Sequence, residues 1–207
     1  AVRVGLHGAS AATHDRLVGV DGAFEQTVAG IRHLARHARR GLALSLSFTL
    51  VRDNLAELDD TLTLAHTLGL RHVHLRALTP IGPDTRHLAP DAEALTRALS
   101  GALSRWSDRL TLRVHDLPFC LLPDHTSAIE GDTPRRAHVT QPGVDYPGYL
   151  AAQRVRTPAC NDCPHQLACD GFYATTSPSP PWVVPAELLV RSDATTPSPA
   201  ALTPSTT

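Results

Sequence analysis

The α/β class of this chain can be seen in one run of ten residues, Leu42-Ala43-Leu44-Ser45-Leu46-Ser47-Phe48-Thr49-Leu50-Val51. Apolar and polar side chains alternate along the run, which is typical of a β-strand with one buried face. Asn54 follows as a candidate helix N-cap. Apolar residues then recur at helical spacing from Leu55 to Leu68, and Gly69 ends the pattern. The run therefore predicts a strand that leads directly into an amphipathic helix.

The same unit recurs on both sides of this run. Three more strands are predicted, at residues 2–6, 73–77 and 110–114, and two more helices, at residues 24–38 and 95–103. Strands joined by crossover helices are parallel and right-handed, and their carboxyl ends collect functional groups. Four strands are too few for an eight-stranded barrel, so we expect part of a partial parallel (β/α) barrel. In this prediction the strands follow chain order, three helices cover one face, and the opposite face is apolar and exposed.

Composition limits the remaining classes. The formal charge of −1 over 207 residues, without a long basic run, argues against a nucleic-acid-binding surface. No apolar run approaches the ~20 residues of a membrane helix, and nothing resembles a signal peptide, so we expect no membrane contact and a cytoplasmic location. The chain contains no methionine and opens on a predicted strand. We therefore expect a fragment of a longer protein.

Three regions differ in character. Residues 1–117 hold the alternating strands and helices, and residues 118–174 form an irregular cysteine-rich extension with few periodic apolar positions. Residues 175–207 are rich in Pro, Ser and Thr, a composition that is typical of disorder.

The cysteines are the strongest chemical signal. Cys160, Cys163 and Cys169 follow the spacing C-x2-C-x5-C, with Gly171 two positions later, and Cys120 lies upstream. Four thiolates suit an iron–sulfur cluster or a tetrahedral zinc, and in a cytoplasmic protein thiols favour metals over disulfides. A zinc ribbon normally has two C-x2-C pairs, whereas this chain has one. A [4Fe–4S] cluster, a structural zinc site with four cysteine ligands and unliganded thiols all stay open at this point.

The order and spacing of several short stretches resemble the radical S-adenosylmethionine (SAM) enzymes, in the later half of their partial barrel. The similar stretches are Val4-Gly5-Leu6-His7-Gly8, residues 14–19 and 22–24, residues 50–58, and residues 68–70, 72–74 and 78–82. Many members of that superfamily also have a C-terminal extension in which C-x2-C-x5-C-x-G binds an auxiliary cluster. The resemblance thus implies an auxiliary [4Fe–4S] cluster on Cys160, Cys163 and Cys169, with Cys120 as the natural fourth ligand.

The resemblance also implies a SAM site at the strand ends, formed by His7, Arg52, Thr79 and Pro80. By position alone, Arg52 is either a guanidinium clamp for a cofactor carboxylate or an ordinary charged residue before Asn54. The loop C-x3-C-x2-C, which holds the SAM-cleaving cluster in the superfamily, is absent from this sequence. We therefore expect the C-terminal part of a radical SAM enzyme, inactive alone, whose substrate is a peptide or a small molecule. The alternative is a non-enzymatic α/β scaffold or interaction module with a structural zinc held by the four cysteines.

Overall fold

The computed structural model describes residues 1–37, 42–79, 85–130, 148, 151–152 and 154–173. Its main element is a five-stranded sheet in which every strand is parallel to its neighbour and the spatial order equals the chain order. The strands are β1 (Val2–Gly5), β2 (Leu44–Leu50), β3 (His72–Ala77), β4 (Thr111–His115) and β5 (Ile129–Glu130). The predicted α/β class is confirmed, and the sheet is consistent with part of a barrel.

Within the described ranges, four α-helices with defined bounds accompany the sheet. They are α1 (Ala11–Val18), α2 (Ala23–His37), α3 (Leu58–Thr67) and α4 (Ala92–Trp106). The last three match the predicted helices, whereas no helix was predicted for the segment that forms α1. The sequence feature that marks the start of α1 is its N-cap residue Ser10, whose hydroxyl accepts a hydrogen bond from the backbone N–H of Thr13 at 3.3 Å. Three helices were therefore too few.

The hydrophobic core lies on one face of the sheet. Alternate residues of the central strands are buried there and form one cluster with residues of α2, α3 and α4: Leu46, Phe48, Leu50, Val73, Leu75, Leu112 and Val114 with Val28, Ile31, Leu62 and Leu99. Burying each such side chain contributes about 1.5–3 kcal/mol. The period of two thus fixes which side of every strand meets the helices.

The opposite face of the sheet contradicts the sequence prediction. It was expected to be apolar and exposed, but its side chains are polar: Ser45, Ser47, Thr49, His72, His74, Arg76, Arg113 and His115. Strands buried on both sides are almost continuously apolar, so polar alternation in a parallel sheet marks a face that lines a wet or ligand-binding space. We call these residues, together with Arg3 and Glu130, the polar face.

The loops at the strand ends also correct one detail. Asn54 was expected to cap a helix, but its side chain makes no cap hydrogen bond, and a 3₁₀ turn, Leu55–Glu57, precedes α3. The predicted stop at Gly69 is confirmed, with φ of 81° after the end of α3.

The cysteine-rich extension contains more regular structure than its composition suggested. The 3₁₀ turns Phe119–Leu121 and Pro123–Ala128 lead into β5, which extends the sheet beyond the predicted four strands. Farther on, β6 (Arg154–Val155) and β7 (Phe172–Tyr173) form an antiparallel pair around the cysteine loop.

Pro80, residues 131–147 and the Pro/Ser/Thr-rich tail lie outside the described residues. Within the described part of the chain, no helix is both long and apolar enough to cross a membrane.

Candidate metal centre

Cys120 reaches its position through a sharp turn after β4. Asp116 adopts a left-handed backbone conformation with φ of 63°, and Leu117 and Pro118 are buried immediately after it. Asp is one of the few residues that tolerate this conformation. The 3₁₀ turn Phe119–Leu121 then presents Cys120 beyond the carboxyl end of the sheet.

The other three cysteines belong to one tight loop between β6 and β7. Backbone hydrogen bonds close it at each cysteine: the N–H of Cys163 donates to the carbonyl of Cys160 at 3.3 Å, and that of Cys169 donates to His165 at 2.8 Å. The N–H of Gly171 points at the sulfur of Cys169 over 3.4 Å. Such N–H···S contacts stabilise a thiolate and tune a bound metal centre.

All four cysteines line one cavity of about 210 Å³. Pro118, Phe119, Thr157 and Phe172 contribute to its wall. The structure therefore brings Cys120 together with the three clustered cysteines, although forty positions separate it from Cys160. None of the four forms a disulfide.

The spacing of the sulfurs bears on the kind of metal. Among the described residues, no three cysteine sulfurs lie within 4.8 Å of one another. Tetrahedral zinc with Zn–S bonds of ~2.3 Å would hold its sulfurs roughly 3.8 Å apart. A [4Fe–4S] cluster holds its thiolates farther apart, at about 6 Å, because each binds a different iron. The arrangement as it stands is thus more open than a closed zinc site.

Burial and the neighbouring thiols disfavour the charged form of Cys120. Desolvation of the Cys120 thiol, and after it the neighbouring thiols of Cys169, Cys160 and Cys163, raise its pKa to about 11. A bound metal cation would compensate the charge of a Cys120 thiolate in this cavity. The cavity therefore suits a metal centre better than four reactive thiols.

A buried ion-pair network attaches the cysteine loop to the sheet. The carboxylate of Asp116, whose side chain is 1% exposed, lies 2.6 Å from Arg76 of β3 and 3.7 Å from Arg154 of β6. Arg154 also donates to the hydroxyl of Tyr173 at 3.0 Å and lies over its ring. The rings of Phe119 and His165 stack at 4.8 Å. These contacts hold Cys120, which follows β4, close to the cysteine loop between β6 and β7.

His7 sits where the ladder between β1 and β2 ends. Its Nδ1 accepts the backbone N–H of Thr49 at 3.2 Å, and its own N–H donates to Nδ1 of His14 at 3.0 Å. Both imidazoles thus accept a hydrogen bond at Nδ1, which favours the neutral ring. Burial lowers the pKa of His7, with a further contribution from His14, and burial likewise lowers the pKa of His14 against the opposing effect of Asp15.

The loop after β2 is fixed by Asn54, which is fully buried. Its Oδ1 accepts from Val51 N–H at 2.8 Å, while its Nδ2 donates to the carbonyls of His7 at 3.0 Å and Thr49 at 2.8 Å. Asn54 thereby joins the carboxyl ends of β1 and β2. Sequence reasoning missed this role because it assigned Asn54 to a helix cap.

The other predicted SAM contacts are placed as follows. Arg52 is exposed, its backbone N–H donates to the carbonyl of Leu88 at 2.8 Å, and its guanidinium donates to that of Ala89 at 3.4 Å. Thr79 is half-buried just beyond β3. Pro80 lies outside the described residues. The roles of His7, Arg52, Thr79 and Pro80 toward SAM stay predictions.

Comparison with known proteins supports the resemblance. Segments of this chain are 37% identical over 79 residues to AdoMet-dependent heme synthase of Oleidesulfovibrio alaskensis and 38% identical over 79 residues to that of Methanosarcina barkeri. A segment is 32% identical over 108 residues to pre-heme d1 synthase of Dinoroseobacter shibae. These alignments cover 38%, 38% and 51% of this chain and 20%, 22% and 26% of the respective relatives. No family model matches the chain.

The chain thus spans about a fifth to a quarter of the length of the curated relatives it matches. These relatives are radical SAM enzymes. The resemblance to that superfamily is confirmed at modest identity over part of the chain.

Proposed function

We propose that this chain is the later barrel segment and the auxiliary-cluster segment of a cytoplasmic radical SAM enzyme. The relatives are named for making heme or a heme precursor, which favours a small molecule over a peptide as substrate. When bound, SAM and a reduced cluster supply the 5′-deoxyadenosyl radical chemistry of that superfamily. The residues of this chain would bind the auxiliary cluster, shape the strand ends and exclude water around the substrate.

One observation is central to the proposal: Cys120 and the C-x2-C-x5-C loop line a single cavity. The residues fit an iron–sulfur cluster on three counts. The donor set is four thiols, no three of these sulfurs lie within 4.8 Å of one another, and the cavity of about 210 Å³ is large enough for more than a single ion. Cys120, Cys160, Cys163 and Cys169 would hold the cluster, and the N–H of Gly171 would donate to the Cys169 thiolate.

The strand ends would serve the substrate side. His7 and His14 are kept neutral by burial and by the backbone N–H groups that they accept, so they add no charge to the site. Asn54 holds the ends of β1 and β2 at a fixed separation. We assign SAM contacts to His7, Thr79 and Pro80, and a carboxylate contact to Arg52 through a change in its side-chain direction.

The test is anaerobic reconstitution of the full chain with iron and sulfide, followed by iron, sulfide and zinc analysis and visible absorption. We expect about four irons and four sulfides per chain and a broad brown absorption. Cys120→Ala and Cys163→Ala should each lose most of the iron, while Asp162→Asn, an exposed residue of the same loop that does not line the cavity, should keep it. One zinc per chain with no colour would overturn the proposal in favour of the scaffold alternative.

The proposal also predicts what the chain does not do alone. Because C-x3-C-x2-C is absent from this sequence, the reconstituted chain should form no 5′-deoxyadenosine from SAM under reducing conditions. Formation of that product by the purified chain, and its loss in Cys163→Ala, would show that the cysteine-loop centre itself cleaves SAM.

A further inference from the structure

A second group of metal-ligating side chains lies on the polar face, away from the cysteines. Nδ1 of His74 is 2.8 Å from Nε2 of His115, and that nitrogen is 3.6 Å from a carboxylate oxygen of Glu130. Among the described residues, this is the one set of three His, Cys, Asp or Glu side chains whose ligand atoms all lie within 4.8 Å of one another. The His115 side chain is 1% exposed and that of Glu130 is 42% exposed.

The backbone places these three side chains together. They belong to β3, β4 and β5, which are consecutive neighbours in the sheet, and His115 is paired directly with Glu130. The five-pair ladder between β3 and β4 holds His74 and His115 on one face, and Glu130, at the end of the two-residue β5, is placed by its direct pairing with His115. The group is therefore formed before any ligand arrives.

The distances match those required around a metal. In a tetrahedral zinc site with Zn–N and Zn–O bonds of about 2.0–2.1 Å, ligand atoms are separated by roughly 3.3 Å. The observed separations of 2.8 Å and 3.6 Å lie on either side of that value. The third pair of ligand atoms, on His74 and Glu130, lies within 4.8 Å, so movements of up to about 1.5 Å, within reach of the Glu130 side-chain torsions, would bring the three atoms to a common centre.

We propose that His74, His115 and Glu130 form a binding site for a divalent ion of the zinc or ferrous-iron class. Two imidazole nitrogens and one carboxylate oxygen are the donor set that such ions select. Three protein ligands are also the number used by catalytic sites, in which water or a substrate oxygen supplies a further ligand. This site does not depend on the proposed radical SAM function, because it shares no residue with the cysteine centre.

Two arginines compete with the metal. Arg3 lies 2.9 Å from Nε2 of His74, and Arg113 lies 3.3 Å from the other carboxylate oxygen of Glu130. While Arg3 donates to Nε2, the ring proton of His74 is on Nδ1 and points at His115. A metal on Nδ1 requires this proton to move to Nε2, which then can no longer accept from Arg3. Metal binding thus displaces Arg3, and the charge of Arg3 weakens binding of the ion.

The competition between Arg3 and the metal predicts that two kinds of substitution on the polar face change metal affinity in opposite directions. Removing a ligand weakens metal binding, whereas removing the arginine strengthens it. If the three side chains had only a structural role, removing one of them would lower stability. Removing Arg3 would then not strengthen metal binding.

The experiment is an anaerobic Co²⁺ titration of the full chain, monitored by absorption and calorimetry. Cobalt bound by the cysteines shows a thiolate-to-metal charge-transfer band, and cobalt bound by nitrogen and oxygen shows only ligand-field bands. We expect one equivalent of the second kind. His74→Gln and Glu130→Gln should weaken it at least about tenfold without changing the thiolate band. Arg3→Ala should tighten it several-fold.

Two controls remove other histidines from consideration. His72→Gln changes an exposed histidine on the same strand outside the group, and His33→Gln removes half of the stacked pair His33 and His37 on α2. Both should bind Co²⁺ like the original chain, and circular dichroism should show each variant folded. The proposal is overturned if the original chain binds no cobalt outside the cysteines, if Glu130→Gln and His74→Gln bind it unchanged, or if His33→Gln removes it.

Discussion

Replacing Gly171 by alanine should disable the cysteine centre without unfolding the sheet. Gly171 has φ of 83°, and a Cβ atom built on it would lie 2.5 Å from the backbone carbonyl oxygen of Val155. That distance is nearly 1 Å short of ordinary van der Waals contact. The obstacle is backbone rather than the end of a flexible side chain, so the strand itself must move.

Gly69 provides a matched control for the size of the effect. Its φ of 81° is nearly the same, but a Cβ there meets no atom within 4 Å. Gly69→Ala therefore introduces only the conformational cost of a left-handed residue, about 1–2 kcal/mol. Gly171→Ala adds the collision with Val155, and the β6–β7 ladder is only two residue pairs long. A ladder of that length has too few hydrogen bonds to absorb the displacement, so we expect residues 154–173 to open locally.

The two variants are distinguished by iron content after reconstitution and by hydrogen exchange of residues 154–173. Gly171→Ala should lose most of its iron and its amide protection in that segment, with the thermal transition of the sheet nearly unchanged. Gly69→Ala should keep its iron and show a lower thermal midpoint. Full iron loading of Gly171→Ala, or equal iron loss in both variants, would refute the steric argument.

Three further predictions concern the strand ends. Asn54→Ala leaves one buried N–H and two part-buried carbonyls without the partner they now have, so chemical denaturation should show a loss of about 3 kcal/mol. A loss below about 1 kcal/mol would contradict the role of Asn54. The carboxylate of Glu57 accepts hydrogen bonds from the N–H of Ala9 at 2.8 Å and from the hydroxyls at the start of α1. Glu57→Ala should therefore lower the free energy of unfolding by about 1–3 kcal/mol, and Glu57→Gln clearly less. Equal losses in the two variants would mean that the charge of Glu57 matters more than its geometry. The pKa values of His7 and His14 are lowered in the folded chain, so below about pH 6.5 the unfolded chain binds more protons than the folded chain. Stability is therefore full above about pH 6.5 and falls as the pH drops toward the pKa values of the folded chain. Thermal melts at several pH values should show a shallower fall for His14→Gln, and an unchanged slope would contradict this assignment.

The helices and strands that pack on the core were predictable because their apolar period is strong. The alternation in β2 and the helical spacing up to Gly69 each indicate which side chains are buried. Helix α1 was missed because it is eight residues long and has only two buried side chains, Thr13 and His14. Its N-terminus is held by Glu57, which lies more than forty positions away and therefore gives no local signal.

The polar face was predicted wrongly for a different reason. The prediction assumed that a sheet separated from the rest of a barrel would expose an apolar interior. The sequence of β3, in which His72, His74 and Arg76 alternate with buried Val73 and Leu75, already indicated a polar face. Only the register between strands shows which polar residues become neighbours, and spacing along one strand does not contain that information.

One part of the cysteine centre could be predicted from the sequence, and another part could not. The three cysteines of the loop could be predicted as a group, since their spacing closes a tight turn. The position of Cys120 depends on the left-handed turn at Asp116 and on the ion pairs that this carboxylate makes with Arg76 and Arg154. Removing one partner from such a buried set leaves an uncompensated charge, which costs more than the pair contributes.

The same ion pairs connect the two candidate metal sites of this chain. Arg76 belongs to the polar face two residues after His74, and Asp116 directly follows His115, so the carboxylate that holds the cysteine loop lies one residue from a proposed ligand of the second site. The left-handed backbone of Asp116 and its ion pairs with Arg76 and Arg154 fix the directions in which the chain enters and leaves this turn. The turn at Asp116 therefore sets both the direction of His115 on the polar face and the position of Cys120 at the cavity. A single turn thus fixes the spatial relation between the polar face and the cysteine centre.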